Sequence, residues 1–161
     1  MKRKSIILVV VLLLLSLTMA GCSKGKTFTK EDMSITLTSD FQEKAKENTD
    51  AYYEGKSAIL FCYRDSNDSL KDVGMDPSTL TLKEYAEKIV ELHKINVAVV
   101  EVEGLVVFDF YQTSGDYEFY HFGTVKKGPN SFWVFEFVCQ KKDLDKMTKE
   151  FVKWAKSIEI K

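Results

Sequence analysis

Residues 97–139 read VAVVEVEGLVVFDFYQTSGDYEFYHFGTVKKGPNSFWVFEFVC. Four runs rich in β-branched and aromatic residues, 97–103, 105–112, 116–125 and 131–139, are separated by Gly104, by Ser114-Gly115 and by Lys127-Gly128-Pro129-Asn130. Short breaks bearing Gly, Asn or Pro between such runs are hairpin signals. Consecutive hairpins make an antiparallel meander, and the rest of the chain has to pack on it.

Working outward, each flank carries one helix. Thr81 and Glu84 form a capping box, with Leu80 and Tyr85 placed as a hydrophobic staple around it. Leu82, Tyr85, Ala86, Ile89 and Leu92 then recur at helical spacing, giving one apolar stripe that ends near Asn96. After the meander, residues 143–157 place Leu144, Met147, Phe151, Trp154 and Ile158 on one face. Asp143 is positioned as the cap. At least one of Trp133 and Trp154 should be buried.

Upstream, residues 33–38 alternate apolar and polar, as a strand with one buried face does. Residues 41–46 read as a short helical turn. Residues 57–63 hold the unbroken apolar run Ala58 to Cys62, which reads as a central strand covered on both faces. Residues 65–76 read as a polar loop. The order is two strands, a helix, four strands and a helix. It predicts an α+β domain, an antiparallel sheet of about six strands with two main helices packed on it.

The start of the chain resembles a bacterial lipoprotein signal. Lys2, Arg3 and Lys4 precede an apolar run over residues 6–17, and small residues lead to Cys22. This is the secretory order of charge, hydrophobic core and cleavage site. Leu17-Thr18-Met19-Ala20-Gly21-Cys22 is similar to a lipobox, with Met19 where the family usually has Leu. The resemblance implies acylation of Cys22, cleavage before it and an extracytoplasmic location on the cell membrane. The organisation expected is a signal peptide over 1–21, the lipidated Cys22 with a short tether over 22–27, and one domain over 28–161.

Within that domain, Met33-Ser34-Ile35-Thr36-Leu37 with Phe41, Tyr85-Ala86, Phe132-Trp133, and Phe151, Trp154-Ala155 and Ser157-Ile158 resemble the small lipoproteins of Gram-positive bacteria with a PsbP-like fold. That family includes the photosystem II subunit PsbP and a Ran-binding nuclear import factor. The resemblance implies the fold, and non-enzymatic binding as the commoner activity. It carries over no functional residue.

Removing residues 1–21 leaves 140 of 161 residues. The 23 basic residues less these three leave 20 against 24 acidic ones, a formal charge of −4. A mildly acidic domain is a poor nucleic-acid binder, which needs a basic footprint. Cys62 and Cys139 remain after Cys22 is acylated. An exported chain can bridge them, but both lie in apolar runs where a free thiol packs equally well.

Few residues point to chemistry. His93 and His121 have no carboxylate or Cys at metal-ligand spacing, and no G-x-S-x-G elbow marks a nucleophile. Asp65-Ser66-Asn67-Asp68-Ser69 begins like a calcium loop, but Leu70 stands where Gly is needed and Asp76 where Glu is. Phe108, Phe110, Tyr111, Tyr117, Phe119, Tyr120 and Phe122 form an aromatic band whose alternate members fill the core. Its tyrosines Tyr111, Tyr117 and Tyr120 suit a wet boundary and are the candidate binding residues. The reading these features support is a monomeric, membrane-anchored binding or adaptor module acting on a cell-surface protein, without catalytic residues, metal or cofactor. A carrier of a small apolar ligand or lipid and a cryptic hydrolase are the alternatives.

Overall fold

Two tight turns set the register of the meander. The computed structural model describes residues 25–161. The leader and Cys22 lie outside the described residues. The chain forms, in order, β1 (Lys26–Lys30), β2 (Met33–Leu37), β3 (Gln42–Glu43), β4 (Ala51–Glu54), β5 (Ile59–Ser66), α1 (Asn67–Asp72), α2 (Leu82–Leu92), β6 (Val100–Val102), β7 (Leu105–Ser114), β8 (Tyr117–Lys127), β9 (Ser131–Gln140), α3 (Leu144–Lys156) and β10 (Glu159–Ile160). Glu103-Gly104 turns β6 into β7 with both residues at positive φ, and Gly115-Asp116 turns β7 into β8 with positive φ at Gly115 alone. These are the two-residue hairpin turns whose twist matches that of the strands.

The strands make two antiparallel sheets. The larger has seven strands in the order β3-β4-β5-β9-β8-β7-β6, and the smaller has three in the order β1-β2-β10. Alternation along each strand splits the large sheet into two faces. On one, Leu60 and Cys62, Trp133, Phe135 and Phe137, Tyr120 and Phe122, and Leu105 and Val107 meet Phe151 and Trp154 of α3 and Met33, Ile35 and Leu37 of the small sheet. On the other, Phe108, Val125, Phe132 and Val134 meet Leu70 of α1 and Tyr85, Ala86 and Val90 of α2. The architecture is therefore α+β, as the patterning predicts, but with a second, three-stranded sheet packed on the large one where a single sheet is expected.

Two polar links tie the layers. The β1–β2 turn carries Asp32, whose carboxylate accepts from Ser131 Oγ at 2.7 Å and Trp133 Nε1 at 3.0 Å. Ser157, just beyond α3, accepts from the backbone N–H of Thr36 at 3.0 Å. Both tryptophans are buried.

The sheet differs from its expected form in several places. There are ten strands and not about six, because β1, β3, β4 and β10 are short and owe their pairing to tertiary contact. β1 claims Lys26 and Thr27, which the sequence places in the tether. Phe41 packs in the core and is followed by β3, with no helical turn. The polar stretch after Asp65 contains α1, capped by Ser66, whose side chain accepts from the Ser69 N–H. Asp143 occupies the capping position of α3 without making the side-chain bond. Cys62 and Cys139 are buried free thiols, so the bridge left open by the sequence is not made. Cys62 lies opposite Phe135, four residues from Cys139 along β9. That is about 13 Å at 3.3 Å per residue, beyond disulfide reach.

Candidate functional site

The apolar run in β5 breaks the symmetry between the two faces. Leu60 and Cys62 are fully buried, but Ile59, Phe61 and Tyr63 on the other face are only half-buried. The expected cover on both faces fails here because α2 crosses the sheet only at the end holding Phe108, Val125 and Phe132. Half of that face is left open.

α2 stops where it does for a local reason. Lys94 takes a left-handed conformation with φ 55. Its N–H then reaches Glu91 O, and the Ile95 N–H reaches Val90 O, both at 3.0 Å. This is a Schellman C-cap, sealed by the apolar pair Val90 and Ile95. Leu92, expected on the buried stripe, is left 74% exposed at the helix end. The capping box at the other end is made as predicted, with the Thr81 N–H donating to Glu84 Oε2 at 2.9 Å.

Between this helix end, the segment 93–97 and the open sheet lies a groove of about 960 Å³. Its floor includes Phe110 and Tyr63, with Asp65 and Glu136 among them. Phe61 stacks on Tyr63 at 6.5 Å between ring centroids, and Tyr52 tilts onto Phe61 at 5.1 Å, so the aromatic surface runs on across β5 and β4. A polar seam crosses this surface. The buried His121 ring stacks on Phe110 at 4.5 Å, and its Nδ1 lies 2.5 Å from Glu136 Oε1. Tyr85 donates its phenol to Asp65 Oδ2 at 2.6 Å. Burial pushes the Tyr63 phenol up to about 12, helped by the Glu136 carboxylate. Burial and the bond to Asp65 also hold the Tyr85 proton firmly in place.

A carboxylate–histidine pair activates a nucleophile only when a hydroxyl or thiol lies within hydrogen-bond reach of the ring. Among the described residues, the hydrogen bonds bring no Ser, Thr or Cys onto His121. Among them also, no three His, Cys, Asp or Glu side chains are grouped to hold a metal, and no helix is long and apolar enough to cross a membrane. What remains is an aromatic plane with two carboxylates set into it.

The three tyrosines singled out by the sequence do not form one surface. Tyr111 is 48% exposed and Tyr117 59%, but Tyr120 is only 7% exposed. Tyr120 stacks on Phe151 of α3, and burial together with Asp109 raises its phenol pKa. The turn at Gly115-Asp116 explains the split. It pairs Ser114 with Tyr117 and Tyr111 with Tyr120, so Tyr117 faces the groove side and the other two face α3. Phe110, Tyr63 and Phe61 were missed as candidates. Phe61 and Tyr63 lie on the strand whose apolar run predicts cover on both faces, and in the sequence Phe110 stands out only as part of the aromatic band.

No family model matches the sequence, and no curated protein matches it. Among solved structures, the chain is similar to a crystal structure from Bacteroides thetaiotaomicron VPI-5482, with a TM-score of 0.57 at 11% identity over 86% of this chain and 49% of that one. It spans about half the length of that protein. It is also similar to the solution structure of cyanobacterial PsbP (CyanoP) from Synechocystis sp. PCC 6803, with a TM-score of 0.55 at 12% identity over 89% of this chain and 96% of that one. At such identities the likeness is one of fold. The domain has a PsbP-like fold.

Proposed function

We propose that this chain is a lipid-anchored binding module on the outer face of the cell membrane, and that it captures a cell-surface protein through the open half of its large sheet. The observation that carries this reading is the aromatic surface of Tyr63 and Phe110 in the groove and Phe61 stacked beside Tyr63, all left half-buried where α2 ends. Aromatic side chains with a polar tip dominate binding hot spots, and the fold family implied by the structural neighbours is compatible with a non-enzymatic module. A carrier of an apolar ligand is the weaker reading, because the groove is walled partly by exposed residues such as Leu92 and Tyr111. Cys22 supplies the anchor. Only Ser23, Lys24 and Gly25 separate it from β1, a reach of about 10 Å at 3.4 Å per residue, so the domain works close to the bilayer.

Two experiments test this. Cys22→Ser should move the protein from the membrane fraction to the soluble one, and a variant that still pellets in high salt would refute the anchor. Capture of surface proteins by the full chain in native membranes should fall at least tenfold with Phe61→Asp or Tyr63→Asp, while the folded-state circular dichroism persists. Unchanged capture would move the binding surface elsewhere. Turnover of an ester, peptide or glycan that disappears with His121→Ala would replace this reading with an enzymatic one.

A further inference from the structure

β7 is much longer than the strand that covers its outer edge. β6 pairs with Leu105, Val106 and Val107 only, and β7 continues to Ser114. The register identifies which groups are left over. In a two-residue hairpin the residues flanking the turn form a hydrogen-bonded pair. Leu105, paired with Val102, therefore turns its N–H and C=O outward toward β6, and Ser114, paired with Tyr117, turns its own inward toward β8. Alternation along the strand makes the two assignments agree. Asp109, Tyr111 and Thr113 thus present three N–H and three C=O groups at an open edge. Among the described residues, no backbone bond reaches them from outside the ladder.

This edge is not bare solvent-facing backbone. Asp109 and Tyr111 line the groove, which Ile95, Asn96 and Val97 line as well. Natural edge strands are usually blunted by Pro, a bulge or repeated charge, and between Phe108 and Ser114 the only such device is Asp109. We infer that the groove is a slot for one extended segment of a partner protein, which adds to the sheet as a strand beside β7. This deepens the adaptor reading above and rests on it. In such augmentation the main-chain bonds supply affinity and pockets for alternate side chains supply specificity. Side chains of the added strand that share the face of Phe110 enter the groove. There they meet Phe110 and the apolar lining of the groove; Glu136 on β9 and Asp65 on β5 stand about 14 and 19 Å from an added strand at about 4.8 Å per strand, out of reach of its side chains. The exposed His93 and Lys94 stand at the rim. The slot therefore suits a strand of alternating pattern with apolar residues directed inward. The segment 95–97, which lines the same groove, favours a single strand over the broad edge of a second copy of this chain.

The test uses a display library of random octapeptides selected on the full chain in detergent micelles. Selected peptides should share alternating apolar positions. Their binding should slow amide exchange at Asp109, Tyr111 and Thr113, whose N–H groups should exchange fast in the free protein, and leave the inward amides at Phe110 and Gln112 unchanged. Tyr111→Pro removes one outward donor and no β7–β8 bond, since Pro is tolerated where a strand's N–H faces out. It should weaken binding at least tenfold without altering the fold, and N-methylation of alternate peptide amides should do the same. Failure to select any peptide, equal binding to the Tyr111→Pro chain, or protection of these amides by self-association alone would each overturn the proposal. If the native partner is lost with Phe61→Asp but kept with Tyr111→Pro, the edge proposal falls and the adaptor reading stands.

Discussion

Asp32 is a short acidic side chain in a tight turn, yet it holds two buried donors. Its oxygens satisfy the Ser131 hydroxyl and the Trp133 indole, and Arg64 Nε lies 3.6 Å from the same carboxylate. Asp32→Ala would leave both donors unpaired in the core, which costs about 1–3 kcal/mol for each group. Urea denaturation should show a loss of about 2–6 kcal/mol for the pair, and a loss below about 0.5 kcal/mol would mean the two groups find other partners. The burial of Trp133 could be read from its apolar strand, but its partner could not, because Asp32 lies 101 residues earlier. The cysteines give a second test. Burial pushes the Cys139 thiol up to about 11 and Cys62 higher still. Neither should react with a thiol reagent at pH 8 until the protein unfolds, and rapid labelling of the folded chain would contradict this. Both thiols stay protonated in the fold while the unfolded chain ionises from about 9 upward. Stability is therefore full below that pH and is lost as pH rises through the folded values.

At the scale of elements, the strongest periodic signals survive unchanged. The capping box opens α2, and the stripe of α3 buries Met147, Phe151 and Trp154 as its spacing requires. Trp154 meets Phe41 edge-on at 5.1 Å and also contacts Phe137 and Phe151. Trp154→Ala should cost about 3–5 kcal/mol by thermal or chemical unfolding. A value under about 0.5 kcal/mol would mean the helix does not pack through it. The elements that could not be read are those made by pairing alone. β4 has four residues and β10 two, too few for a periodicity. The split of Tyr111 from Tyr117 depended on a register set at Gly115-Asp116 and on which face α3 covers. A sequence shows the alternation but not the side on which a distant helix will land.

For the whole molecule, the order of elements is enough to give an antiparallel sheet layered with helices; the PsbP-like fold rests on the resemblance and on the likeness to a solved PsbP structure. The order is not enough to show where the layers stop. The open half-face exists because an eleven-residue helix crosses a seven-stranded sheet and ends at Leu92. β5 was read as covered because its residues are apolar throughout, and apolarity does not distinguish a helix of the same chain from a partner as the cover. The working surface, on this account, is the part of the sheet that the chain itself leaves uncovered. The most direct test is photo-crosslinking in intact cells, with a benzophenone side chain placed at Phe110 in the groove or at Lys149 on the exposed side of α3. The account predicts one discrete protein adduct from position 110, lost when Cys22 is replaced by Ser, and none from position 149. Adducts from position 149 with none from position 110 would contradict it.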